Sequence, residues 1–92
     1  MTCRTITKRL LDTAKRITER GDSDQAERVY RKAVDVARME AGANSGLVGL
    51  ALLDLLTFYE DQGKEEEAGA VWDQVRDLLM THYPKLVDTE RN

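Results

Sequence analysis

The chain has one cysteine, one proline and one histidine, and aromatic residues make up only 5% of its 92 positions. Each shortage removes a class of protein. A lone cysteine, Cys3, cannot close an internal disulfide, which fits a reducing compartment and points to the cytoplasm. A lone proline, Pro84, leaves everything before it free to form long helices. With His82 the only histidine, no Cys/His metal spacing and no phosphate-cradling glycine loop, the sequence offers no metal or cofactor site. No nucleophile stands beside a base, so no enzyme is expected.

Long apolar runs are also missing. Asp54 interrupts the longest before it reaches the ~18 residues of a membrane span. The opening MTCRTITKRLL is basic but lacks the apolar core of a signal sequence, and it reads as part of a first helix. A net charge of -3 argues against a nucleic-acid partner, which ordinarily calls for a basic surface.

What the chain does have is helical periodicity. In LVGLALLDLLTFY, residues 47–59, the apolar residues Leu47, Val48, Ala51, Leu52, Leu55, Leu56, Phe58 and Tyr59 cover roughly half the circumference of a helix. The opposite side carries Asp54, Thr57, Glu60 and Asp61, with Leu50 and Leu53 set among them. Such a helix must be covered on two sides.

Ile6, Leu10, Ala14 and Ile17 predict the buried face of an earlier helix that starts at Thr2 or Thr5 and ends at Arg20. Gly21 closes it, and Asp22, Ser23 and Asp24 can cap a second helix burying Ala26, Val29, Tyr30, Ala33, Val34, Val36 and Ala37. That helix ends near Gly42. Asn44 or Ser45 caps the third, Gly63 ends it, and KEEEA opens a fourth with glutamates where the helix dipole favours them. Val71, Trp72, Val75, Leu78 and Leu79 form the fourth stripe, Pro84 stops it, and residues 84–92 read as a loose tail. The expected fold is all-α, one domain over residues 1–92.

Gly21 and Gly63, Ala26 and Ala68, Tyr30 and Trp72, and Leu10-Leu11 and Leu52-Leu53 all stand 42 residues apart. The chain therefore reads as two copies of a helix-turn-helix unit, about residues 5–42 and 45–83. In TERGDSDQAERVYRKAVDVA and YEDQGKEEEAGAVWDQVRDLL, the glycine, alanine and aromatic fall where the tetratricopeptide (TPR) repeat has them. The chain resembles that family, in the longer variant seen in kinesin light chains. Ala33 matches a further small position; Val75 and Leu56 are larger substitutes. The resemblance implies four antiparallel helices in a short right-handed solenoid, although a duplicated hairpin can also close as an up-down bundle.

From the resemblance, the first helix of each unit lines a concave groove that takes a peptide or helix from another protein. That would set Lys8, Leu11, Lys15 and Thr18 beside Leu50, Leu53, Asp54, Thr57 and Glu60. Leu11, Lys15 and Asp54 depart from the lysines and asparagine of the family's carboxylate clamp. The implied function is an interaction module, an adaptor or helper subunit.

Where the third helix has Leu47, Ala51, Leu55 and Phe58, the first has Thr5, Arg9, Thr13 and Arg16, a polar face that suits the start of a stack. At the other end, Val71, Val75, Leu78 and Leu79 have no helix after them. Either Leu86 and Val87 fold back over them, or a second copy covers them as a homodimer, the alternative function being self-assembly. The first helix has six basic residues against two acidic, while Glu60 to Glu67 has five acids against one lysine. Such asymmetry can steer association.

Overall fold

A computed structural model describes the backbone of residues 3–82 and the side chains of residues 6–82. The Cys3 side chain and the tail with Pro84, Leu86 and Val87 lie outside the described residues. These form four helices and no strand: α1 (Cys3–Glu19), α2 (Ser23–Ala41), α3 (Gly46–Asp61) and α4 (Glu65–His82). None is long and apolar enough to cross a membrane.

The two tight turns match bond for bond at the 42-residue spacing. After α1, the Asp22 amide donates to the Ile17 carbonyl at 3.3 Å; after α3, the Lys64 amide donates to Tyr59 at 2.9 Å. Each reach back over the helix end requires a left-handed residue, and Gly21 (φ 90) and Gly63 (φ 74) supply it without a Cβ penalty. Asp22 then caps α2 by accepting from the Gln25 amide, and Ser45 caps α3 by accepting from Val48, both at 3.3 Å.

α1 packs on α2 and α3 packs on α4, so adjacent helices form two hairpins. α3 joins them by lying against both α2 and α1, while α1 and α4 do not meet among the described residues. A square up-down bundle would make α1 and α4 neighbours. The described chain measures 44 × 35 × 14 Å, and the thin dimension is what two helix layers about 9 Å apart give.

The core follows α3, whose Val48, Ala51, Leu52, Leu55, Leu56, Phe58 and Tyr59 are all buried. Alanines 14, 26, 33 and 37 pack around it with no exposed surface. These small residues let the helices approach closely. Each fully buried leucine or valine in this cluster contributes about 1.5–3 kcal/mol relative to exposure. Val29 is half-buried against the same core, and Val36 is half-buried too.

Two stripes differ from the sequence expectation. α1 buries Thr7, Leu11, Ala14 and Ile17, whereas Ile6 is 44% exposed and Leu10 half-buried. Thr7 and Leu11 lie one position on from Ile6 and Leu10, a rotation of about 100°, and packing of α1 against α2 and α3 selects that face. On α4, Trp72 leaves the stripe and is 42% exposed, while Val71 and Val75 are fully buried inside the chain. Those two valines therefore cannot be an open self-association surface; α3 already covers them. Leu78 and Leu79 remain half-buried.

Candidate binding site

α1 and α3 lie side by side, and the furrow between them contains a cavity of about 400 Å³. Four of the nine expected groove residues line it: Lys15 and Thr18 from α1, Asp54 and Thr57 from α3. Lys15 Nζ stands 3.5 Å from the Asp54 carboxylate, an ion pair that clips the two helices together across the furrow. The pair is half in solvent, so it contributes register more than energy. Thr18 and Thr57 turn their hydroxyls back to the carbonyls of Ala14 and Leu53, at 2.8 and 3.0 Å.

Leu50 and Leu53 are 44% and 47% exposed on the same side of α3, one turn before Asp54 and Thr57. Lys8 is exposed on α1, two turns before Lys15. Two of the nine residues fall elsewhere. Leu11 is a correction: it is 3% exposed, packed into the core, and cannot touch a ligand. Glu60 is turned toward α4, where it lines a hollow with Leu56, Lys64 and Trp72.

Sequence reasoning missed Glu19, Tyr30, Phe58 and Asp61, which complete the cavity wall. Tyr30 and Phe58 form its apolar base, their ring centroids 5.1 Å apart and tilted by 41°. Burial pushes the Tyr30 phenol above its ordinary pKa, so it stays a neutral hydroxyl. Three carboxylates, Glu19, Asp54 and Asp61, line the cavity with one lysine. The furrow is thus apolar at its base and acidic at its rim. The 42-residue spacing alone could have pointed to Tyr30, since an aromatic at that position of the first unit is placed to meet the second.

Behind the furrow a polar network fixes the two hairpins. The Tyr59 hydroxyl donates to Glu27 Oε2 at 2.7 Å and accepts from Arg31 Nε at 3.1 Å, while Lys64 Nζ donates to Glu27 Oε1 at 3.2 Å. The Tyr59 hydrogen bond, with Lys64 and Arg31 nearby, holds the Glu27 carboxyl below its usual value, and burial raises the Tyr59 phenol. At the other end, His82 Nε2 meets the Asn44 carbonyl. The α2 and α4 backbones do not come together, but Arg38 reaches across to Gln74 at 2.5 Å.

No family model matches the chain, and neither a curated protein nor a solved structure matches it.

Proposed function

We infer that this chain is a TPR-like interaction module, an adaptor or helper subunit that holds a peptide or helix of another protein in the α1–α3 furrow. The observation that carries this reading is the pairing of Leu50 and Leu53, about half exposed on α3, with the acidic, aromatic-based cavity one turn further along. Exposed leucines grouped beside a concave site favour a contact, because leaving them in water forgoes the burial that drives association.

The chemistry of the furrow describes its ligand. The leucines call for apolar side chains at helical spacing, and Glu19, Asp54 and Asp61 call for a lysine or arginine beside them. Repetition of the turn geometry, with α3 packed against both helices of the first hairpin, supports a short right-handed solenoid over a closed bundle. The single cysteine favours a reducing compartment such as the cytoplasm. No catalysis is part of this reading.

A displayed peptide library selected on the intact protein tests it. Retained sequences should combine apolar residues three or four apart with a basic residue, and should be released by Leu50→Ser/Leu53→Ser. Retention of the same peptides by that variant would place binding elsewhere.

A further inference from the structure

The open flank of α4 carries a pattern unrelated to the furrow. Glu65, Gly69, Trp72 and Arg76 are all exposed, and their spacings of four, three and four put them on one straight stripe at about 100° per residue.

The internal repeat says what such a stripe does. The residues 42 positions earlier on α2 are Ser23, Glu27, Tyr30 and Val34, and these bind the next hairpin. Ser23 Oγ donates to Gln62 at 2.8 Å, Glu27 accepts from Tyr59, Tyr30 stacks on Phe58, and Val34 is buried at 4% exposure. On α4 the same positions have nothing packed over them among the described residues: Tyr30 is 4% exposed and Trp72 is 42% exposed.

The α4 residues also match themselves. Four, three, four reads the same in both directions, so two α4 helices packed antiparallel about a two-fold axis set each Trp72 against the partner's Gly69 and each Arg76 against the partner's Glu65. Gly69 has the room: a Cβ there would meet nothing within 4 Å, and it borders a hollow of about 440 Å³ with Leu56 and Ala68. Large fits small and positive meets negative, each twice. Arg76 already rests 6.0 Å from the ring of its own Trp72, at the end of the stripe where the partner's Glu65 would arrive.

We propose that this stripe is a homodimer interface, with a second copy of the chain as its occupant. The pairing spans three helical turns, about 16 Å, which puts it at the small end of specific interfaces and makes the dimer a weak one. A two-fold contact closes on itself and does not propagate. It stands independently of what the α1–α3 furrow binds.

Trp72 is the only tryptophan, so its emission reports the contact directly. Sedimentation equilibrium and fluorescence over a concentration series should show a dimer whose formation shifts emission to the blue. Arg76→Glu and Glu65→Arg should each weaken it about tenfold or more, and the double variant, which restores both pairs with the charges exchanged, should recover it. Gly69→Leu sets its Cβ in open space within the monomer and improves helix propensity, so it should abolish the dimer with no loss of thermal stability. A full-length chain that stays monomeric throughout overturns the proposal, as does a dimer indifferent to Gly69→Leu and both reversals. Dimerisation only after removal of residues 83–92 overturns it too, by assigning the stripe to the tail.

Discussion

Repeat one and repeat two share turns, caps and spacing, yet residues at matching positions meet opposite fates. Tyr30 is sealed under Phe58 while Trp72 faces out, and Leu11 is buried while Leu53, 42 residues on, is 47% exposed. Sequence identity at a repeat position fixes local conformation; burial depends on what packs next to it. The first hairpin has α3 on its flank and closes tightly, whereas the second is less closely packed and has no described helix beyond it.

The strongest way to break the comparison is to remove the residue the two repeats share. Leu52 is 2% exposed and lies at the base of the furrow between α2 and α4. Leu52→Ala should lower stability by about 2–5 kcal/mol in chemical denaturation. A loss well below that would mean the hairpins do not share one core.

Tyr59 is next, because its hydroxyl joins α2 to α3 and its repeat mate Ile17 has no counterpart. Tyr59→Phe should remove about 1–2 kcal/mol by taking the donor from Glu27 and the acceptor from Arg31. The same network makes a pH prediction. Since the folded Glu27 carboxyl is held below the ordinary glutamate pKa by its hydrogen bond from Tyr59, its contribution is complete above the unfolded value and is lost as pH falls through the folded one. Wild type should therefore lose more stability on acidification than Glu27→Gln. Parallel acid limbs in the two melts would remove Glu27 from the account.

Thr7 gives a smaller effect of opposite sign. Its Oγ1 is fully buried and has no hydrogen-bond partner among the described residues, where its repeat mate is Gly49. Thr7→Val keeps the shape and deletes the hydroxyl, so stability should rise by about 0.5–1 kcal/mol in thermal melts. Destabilisation would show that the hydroxyl has found a partner.

Four helices and both sharp turns were legible in the sequence because glycine, capping residues and apolar period act locally. Gly21 and Gly63 adopt left-handed conformations because no other residue does so as cheaply, and that is visible without any tertiary contact. Phase was harder. On α1, Ile6-Leu10 and Thr7-Leu11 offer competing faces one residue apart, and the less apolar face is the one α2 and α3 cover between them. On α4, Val71 and Val75 looked uncovered only because a repeat count places no helix after them; the core beneath them is α3, on the inner side. Of the groove residues, Lys15, Thr18, Asp54 and Thr57 came together because parallel positions in the two units stay adjacent. The Glu27–Tyr59–Arg31–Lys64 network joins residues 28 to 37 positions apart, and no periodic pattern encodes such a meeting.

The smallest stability effect belongs to the leucines on which the functional reading rests, and it is also the most telling. Leu50→Ser/Leu53→Ser should change the melting behaviour by no more than about 0.5 kcal/mol per site, as exposed substitutions do. Isothermal titration of a library-selected peptide into wild type and into this double variant then tests the central claim directly. The expected result is a loss of at least about 1.4 kcal/mol of binding, a tenfold weakening, with the fold intact. Unchanged affinity, or a variant that unfolds like Leu52→Ala, would contradict it.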